Sequence, residues 1–242
     1  AVFALIATLA VRSGFRAEFV GTILGANAHV TVYNSVEIDA QGASTRTMAD
    51  YATRAEAIRQ VPGVTRVAPL VKGQVMASTT SGATGVQVFG IALNDLRTLE
   101  GIADPETSKG DIAAFAEGLA IGSGVARELG VTVGGSIKII SPEGVKTPFG
   151  TSPRIKSYNV TYVFTAGRYD IDRTRIYMPF AEAQMFFNRE GVADELEVLV
   201  EAPEKVEDMS LALLRAGGER TLIWTWKDAS GSFLRALQIE DN

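Results

Sequence analysis

Residues 195–226, ELEVLVEAPEKVEDMSLALLRAGGERTLIWTW, decide how the rest of the chain is organised. ELEVLVE alternates apolar and polar residues and predicts a strand, EKVEDMSLALLRAG has the spacing of an amphipathic helix, and RTLIWTW predicts a second strand. The same succession of strand and helix patterns occurs near the start of the chain. We therefore expect this strand-helix-strand unit to complete a sheet that begins far upstream.

The upstream part is residues 29–92, which read as strand, helix, strand, strand. AHVTVY predicts the first strand, and TMADYATRAEAIRQV predicts a helix that ends at Pro62-Gly63. VTRVAPLVKGQVMAST predicts a strand with a possible break at Pro69, and VQVFGIAL predicts the next strand. Two such halves around an insertion predict a split α/β sandwich with helices on one face.

The insertion between these halves has short strands, glycine turns and two predicted helices, which indicates a small barrel-like or sandwich-like β unit. Its least ordinary stretch is SPEGVKTPFGTSP, residues 141–153, with three prolines and two glycines between the predicted strands SIKII and SYNVTYVF. A hairpin needs only a few connecting residues. The sequence therefore predicts a long, stiffened loop over 142–153, with Phe149 at an exposed tip.

Both ends of the chain look like cuts through a longer protein. AVFALIATLAV, residues 1–11, has no charge, but it is shorter than the roughly 20 apolar residues of a spanning helix. Arg12 and Arg16 follow it in place of a cleavage site. We expect the tail of a transmembrane helix there, with a buried core helix as the alternative. At the other end, ASGSFLRALQIEDN predicts a short amphipathic helix.

The predicted fold is thus α+β, a split α/β sandwich with an inserted β-rich unit, flanked by the ends of transmembrane helices. The expected divisions are 1–27 (end of a membrane helix and connecting helix), 28–92 (first sheet half), 93–192 (inserted unit with the loop 142–153), 193–226 (second sheet half) and 227–242 (helix leading to the next membrane helix).

Composition excludes several classes of function. The chain has 242 residues, 46% of them hydrophobic and 21% charged, and a net charge of -5. This is a globular composition without a basic block, and it argues against nucleic acid as a partner. Cysteine is absent, which excludes disulfides and thiolate chemistry. No phosphate-binding loop or strand-linked GxGxxG occurs, so we expect no cofactor, and any ATP hydrolysis would belong to another chain.

Candidate catalytic residues are few. His29 is the single histidine and has no carboxylate or cysteine cluster beside it, so we interpret it as structural. Ser123 lies in AIGSGVARELG, which lacks the outer glycines of a nucleophile elbow, so we expect Ser123 to cap the following helix.

Two further pairs of residues have a structural interpretation. Asp170 and Asp172 alternate with arginines in RYDIDRTR and predict a solvated turn. Trp224 and Trp226 alternate in LIWTW, and we expect both on a strand near the membrane side. An enzyme remains the weakest alternative, and the chain is expected to be non-catalytic.

The order of several segments resembles the membrane subunits of the lipoprotein-releasing ABC transporter, the LolC/LolE family. No single segment is a sharp motif, but together they cover almost the whole chain. They are SGFRAEFVGTILGANAHVTV, VPGVTRVAPLV, VFGIAL, GLAIGSGVARELGVTVGGSIKIISPEG, TPFGTSPRIKSYNVTYVF, IYMPFAEAQMFF and WKDASGSFLRALQIEDN.

This resemblance implies a periplasmic domain between two membrane helices in the bacterial inner membrane, similar to that of MacB-like transporters. Such a domain has a porter-like α/β part split by an inserted, sabre-like part. The family implies four partners: a LolD-type ATPase subunit, a second LolC/LolE-type subunit, a lipoprotein substrate and the periplasmic chaperone LolA. The proline-rich segment favours a LolC-like or hybrid (LolF) type over LolE.

In the LolC type a loop called the hook captures the chaperone, and by position it matches 142–153 here. Prolines stiffen this loop, Phe149 offers an apolar anchor, and Lys146, Arg154 and Lys156 make the region basic. A MacB-like exporter, or an FtsX-like regulator of cell-wall hydrolases, is the alternative function. The residues that the resemblance assigns to chaperone contact are Pro142, Val145, Lys146, Thr147, Pro148, Phe149, Gly150, Pro153 and Arg154.

Overall fold

The structure is a computed structural model that describes residues 24, 27–38, 42, 44–147 and 150–229. For residues 143, 145–147, 150 and 151 it describes the backbone alone. The expected membrane segment 1–11, the exposed tip at Phe149 and the C-terminal helix beyond residue 229 therefore lie outside the described residues.

Strands and short helices alternate along the described chain. Short 3₁₀ turns cover Ile112–Glu117 and Pro203–Lys205. The strands are β1 (Val30–Asn34), β2 (Glu37–Ile38), β3 (Ser44–Thr45), β4 (Val64–Ser78), β5 (Ala83–Ile91), β6 (Lys109–Gly110), β7 (Leu119–Gly122), β8 (Ser136–Thr147), β9 (Gly150–Phe164), β10 (Arg175–Pro179), β11 (Glu195–Val200) and β12 (Thr221–Thr225). The helices are α1 (Tyr51–Arg59), α2 (Leu93–Leu96), α3 (Glu100–Ala103), α4 (Ser123–Glu128), α5 (Tyr169–Thr174), α6 (Phe180–Phe186), α7 (Val206–Gly217) and α8 (Trp226–Ala229).

The two ends of the described chain meet in an antiparallel sheet ordered β12-β1-β11-β4. β11 and β12 both pair with β1, so the prediction that residues 195–226 complete the upstream sheet is confirmed. The helices α1 and α7 cover one face, because the alternate residues of the strands on that face are apolar. The core between them contains Val30, Val32, Ala55, Ile58, Val67, Leu196, Val198, Val206 and Leu213.

The inserted residues form a closed ring together with β4 and β5, which precede residue 93. The strand order is β4-β5-β10-β7-β9-β8, and β8 returns to pair with β4. This is the barrel-like alternative of the sequence prediction. The pairs β5–β10 and β7–β9 are parallel and the others are antiparallel. Inward residues fill the barrel, as small barrels require. They include Val75, Val86, Val88, Ile121, Ile137, Ile139, Val160, Ile176 and Met178.

β4 belongs to both units, and it does not break at Pro69. Its first half pairs with β11, and its pairing with β5 starts only at Val71. At Pro69 β4 therefore has a neighbouring strand on one side alone, where a residue without an N–H is tolerated. The long strand makes a continuous connection between the four-stranded sheet and the barrel.

Helix α6 closes one end of the barrel. Its buried residues Ala183 and Phe186 belong to the barrel core, and the following Phe187 packs there edge-on against Phe186. On the outside of the barrel, α2, α3 and the 3₁₀ turn at 112–117 cover a second apolar cluster around Phe115 and Tyr177. Among the helices of the described residues, none is long and apolar enough to span a membrane.

Candidate functional site

A two-stranded arm extends from the barrel. β8 and β9 pair from Ser136–Asn159 to Thr147–Gly150, whereas the last pair between β8 and β4 is Ile140 with Met76. We define the arm as residues 141–147 and 150–154. At a rise of about 3.4 Å per residue, the five residues 150–154 of β9 span roughly 17 Å.

The prediction of a long, stiffened loop over 142–153 is wrong, because β8 and β9 stay paired up to Thr147 and Gly150. Pro142 and Pro153 lie where this pairing is interrupted. Between the pairs Ser141–Arg154 and Val145–Ser152, residues 142–144 lie opposite residue 153 alone, which makes a β-bulge. Prolines lack the N–H that a ladder requires, and bulges are where strands accommodate them.

The bulge leaves no room for a side chain at Gly144. A side-chain carbon built on it would collide with the backbone carbonyl of Ser152 and with the backbone nitrogen of Arg154. Since the obstacles are backbone atoms, no side-chain movement would relieve the collision. The close approach of the two strands therefore explains why glycine is present here.

Arg154 attaches the base of the arm to α6. Its guanidinium donates to the backbone carbonyls of Met185 and Phe186, the latter at 2.9 Å, and to Asn188 Oδ1 at 2.7 Å. These carbonyls belong to the last turn of α6, which leaves carbonyls without intrahelical partners and favours a nearby cation. Nη1 and Nη2 of Arg154 are thus engaged within the chain.

Lys156 and Tyr158 make the next contacts along β9. Lys156 Nζ donates to Glu182 Oε1 at 2.7 Å, and the Tyr158 hydroxyl donates to the same oxygen at 2.6 Å. Burial, followed by the hydrogen bond to Glu182, raises the pKa of Tyr158 above its ordinary value, so it remains a donor. Lys156 is thus paired with the carboxylate of Glu182, whereas the acceptors described for Arg154 are neutral, so Arg154 keeps its positive charge at the base of the arm.

The alternation of β9 explains which side chains are engaged. Arg154, Lys156 and Tyr158 are two residues apart, so they point to the same side of the strand, toward α6. Ile155 points the other way and is 62% exposed. The period of two was visible in PRIKSYNV, but its partners on α6 are distant in sequence and largely backbone atoms.

The outer side of the barrel at the base of the arm is apolar. Met76, Ile140 and Ile155 are consecutive cross-strand partners on this face, and Met76 is 50% exposed. They adjoin a groove of about 730 Å³, whose lining includes Pro142 and Pro153. Exposed apolar surface of this kind is typical of sites that contact other molecules.

Apart from Arg154, which contacts the end of α6, the assigned contact residues fall into three groups. Pro142 and Pro153 are exposed at the bulge. Pro148 and Phe149 lie outside the described residues, so the predicted exposure of Phe149 stays a prediction. The third group is described by backbone pairing alone, and comprises Val145, Lys146, Thr147 and Gly150.

The candidate catalytic residues have structural positions. His29 Nδ1 accepts the backbone N–H of Val200 at 2.9 Å, which connects the start of β1 to the end of β11. Burial lowers the pKa of His29 below its ordinary value and favours the neutral acceptor. Ser123 is the first residue of α4 and makes no side-chain cap, so the expected capping bond is absent.

Asp172 and Trp226 also depart from the sequence prediction. Asp172 is buried and its Oδ1 accepts the backbone N–H of Ala166 at 2.7 Å, so the turn is not simply solvated. Trp226 begins α8 instead of continuing β12, and its indole N–H donates to the Pro203 carbonyl at 2.7 Å. Trp224 is half-exposed on the strand, as predicted. Within the described ranges, no cluster of three potential metal ligands occurs.

The chain is similar to known transporter proteins. It is 25% identical over 243 residues to the lipoprotein-releasing system transmembrane protein LolC of Neisseria meningitidis serogroup B. The alignment covers 99% of this chain and 56% of that protein. It is 23% identical over 240 residues to the corresponding LolE protein of Haemophilus influenzae, with 98% and 56% coverage. The chain thus spans about half the length of the curated relatives that it matches.

A solved structure shares the fold. The crystal structure of the periplasmic region of MacB from Actinobacillus actinomycetemcomitans superposes on this chain with a TM-score of 0.50 and 11% sequence identity. The superposition covers 87% of this chain and 97% of the MacB chain. The family model described as the MacB-like periplasmic core domain matches residues 1–215. The chain therefore belongs to the MacB-like periplasmic core domain family.

Proposed function

We propose that this chain is the periplasmic domain of a lipoprotein-releasing ABC transporter subunit, LolC-like or hybrid, and that its arm docks a LolA-type periplasmic chaperone. The similarity to LolC and LolE over nearly the whole chain supports the transporter assignment. The observation that carries the docking role is the arm itself, a paired hairpin that extends beyond the last strand contact of the barrel.

The physical chemistry of the arm suits docking. Its strands are paired to the last described residues on either side of Pro148 and Phe149, so little ordering entropy remains to be lost on binding. Proline at the tip would reduce this loss further. In this proposal Phe149 and Pro148 insert into the chaperone, while Val145, Lys146 and Thr147 line the approach.

The base of the arm supplies the second part of the docking surface. Met76, Ile140 and Ile155 form an apolar strip there, next to Pro142 and Pro153. Arg154 has a second role in this proposal besides the one that the resemblance indicated. Its hydrogen bonds to the Phe186 carbonyl and to Asn188 support the arm, and its positive charge stays at the base of the docking surface.

In this proposal the four-stranded sheet with its helices corresponds to the porter-like part, and the barrel, which takes β5 and the second half of β4 from before residue 93, corresponds to the sabre-like part. We place the domain in the periplasm, anchored to the inner membrane by helices on either side. A LolD-type ATPase supplies the energy, and a second LolC/LolE-type subunit completes the transporter. The domain itself is non-catalytic and helps to hand the lipoprotein to the chaperone.

The second candidate is the periplasmic domain of a MacB-like exporter. The shared fold with the MacB periplasmic region favours it. The arm distinguishes the two, since chaperone binding is expected only of the lipoprotein-releasing type.

Binding of purified LolA-type chaperone to the chain, measured by pull-down and isothermal titration calorimetry, tests the proposal. We expect the double variant Pro148→Ala/Phe149→Ala to lose most of the affinity, at least about tenfold, because truncating a central aromatic anchor typically costs 2 kcal/mol or more. Leu211→Ala, which removes an exposed side chain on α7, is the matched control and should bind as the parent does. Retained affinity in the double variant would count against docking through the tip.

A further inference from the structure

The ladder of the arm is interrupted at its base. At the bulge, residues 142–144 lie opposite residue 153, and neither Pro142 nor Pro153 can donate a ladder hydrogen bond. Bulges bend and twist the strands that contain them. The arm therefore joins the barrel through a point where strand pairing alone fixes its direction poorly.

Contacts from one residue span this interruption. Asn188 Oδ1 accepts from Arg154, on the barrel side of the bulge, at 2.7 Å. Asn188 Nδ2 donates to the carbonyl of Gly144, the last residue of the bulge before the pair Val145–Ser152, at 3.4 Å. One side-chain amide thus contacts the barrel-side end of the bulge on β9 and its arm-side end on β8.

Asn188 is itself held in place by the end of α6. It has a φ of 54°, in the left-handed region that asparagine tolerates better than most residues. The preceding carbonyls of Met185 and Phe186 accept from Arg154, so Arg154 and Asn188 are fixed by the same helix terminus.

The helix terminus is in turn connected to the four-stranded sheet. Gln184 Nε2 donates to the Val192 carbonyl at 2.8 Å, and Arg189 Nε donates to Asp194 Oδ1 at 3.2 Å. Asp194 Oδ2 accepts the backbone N–H of Lys72 on β4 at 2.8 Å. The segment from α6 to β11 thus contacts the arm at one end and the sheet at the other.

We propose that Arg154 and Asn188 form a latch that sets the direction of the arm relative to the barrel. They act as positioning residues: they hold the arm across its bulge in the orientation that a docking partner requires. This proposal rests on the docking role proposed above, but the latch itself concerns only the direction of the arm.

The test measures the direction of the arm separately from binding. The chain has no cysteine, so spin labels attached at Ser152→Cys on the arm and Thr132→Cys on the barrel report one distance. Thr132 lies next to the turn at 134–135, which pairs with Val160 on β9. Ser152 is eight residues along β9 from Val160, so the distance between the two labelled residues is roughly 25–30 Å. Double electron–electron resonance should give one narrow distribution for the parent.

Two variants remove the latch in different ways. Arg154→Ala removes the guanidinium, and Asn188→Gly keeps a residue that adopts positive φ while it deletes the bridging amide. Both should broaden the distance distribution, and Arg154→Lys, which keeps one donor, should give an intermediate width. Arg215→Ala, an exposed arginine on α7, should leave the distribution unchanged.

Chaperone affinity is the second readout. If the arm is correctly oriented about one-fifth of the time in the latch variants, their Kd rises about fivefold. Narrow distributions in both latch variants would overturn the latch. Broad distributions with parental affinity would overturn its role in docking. If the parent binds no chaperone, the proposed function fails, and the latch is then judged on the distance distributions alone.

Discussion

The buried ion pair between Arg66 on β4 and Glu197 on β11 allows a quantitative test of the junction between sheet and barrel. Arg66 Nη2 lies 3.0 Å from Glu197 Oε2, and both side chains are at least nine-tenths buried. Arg66 Nη1 also donates to the Asp95 carbonyl at 2.9 Å and to Thr98 Oγ1 at 3.2 Å. One guanidinium therefore joins two strands to the segment that covers the barrel.

Arg66→Met removes this cation and leaves a buried carboxylate without its partner. Removing one member of a buried pair costs about 3–5 kcal/mol, because the remaining charge keeps its desolvation penalty. For a chain of this size the melting temperature should fall by roughly 6–20 °C. The double variant Arg66→Met/Glu197→Leu removes both charges and should recover at least about 2 kcal/mol of that loss.

Urea unfolding followed by tryptophan fluorescence measures both variants. Lys227→Met is the control, since it breaks the more exposed pair with Glu207 and should cost less than about 1 kcal/mol. A loss below about 1 kcal/mol for Arg66→Met, or a double variant no more stable than the single one, would show that the buried Glu197 carboxylate does not depend on Arg66.

Two further predictions concern stability. Because burial lowers the pKa of His29, the unfolded chain binds its proton at a higher pH, so stability should fall as the pH drops below about 6.5. His29→Asn keeps an acceptor for the Val200 N–H and should reduce the fall in urea midpoint between pH 7 and pH 5; equal slopes in both proteins would contradict this. A carbon added at Gly73 would collide with the buried Phe187 ring, so Gly73→Ala should cost about 1–3 kcal/mol. Gly85→Ala, with open space around it in the neighbouring strand, should stay within about 0.5 kcal/mol in the same thermal melts.

The sheet and the barrel could be predicted because their signals are local and repeated. Strands such as β1 and β11 alternate apolar and polar residues, and the return of this pattern after the insertion indicated that the two halves pair. Pro69 shows the limit of such signals. Proline weakens a strand prediction locally. In the structure, however, β4 has a neighbouring strand on only one side at Pro69, so a residue without an N–H is tolerated there.

The arm was predicted at the right place but with the wrong local structure. Prolines and glycines at 142–153 dominated the local signal, while the tertiary pairing of β8 with β9 decided the outcome. The role of Arg154 could not be predicted, because its acceptors include backbone carbonyls of Met185 and Phe186, which have no sequence signature. The contacts of Asn188 with Arg154 and Gly144 can be identified only once the position of the end of α6 is known.

Shortening the arm is the most direct test of its docking role. Ser141 and Arg154 are cross-strand partners, so a two-residue Asn-Gly turn in place of residues 142–153 can close the hairpin there without disturbing the barrel. We expect this variant to unfold at the parental urea concentration but to show no binding of a LolA-type chaperone by calorimetry. Binding within about twofold of the parent, by a variant that is equally stable, would contradict the assignment of the arm as the docking site.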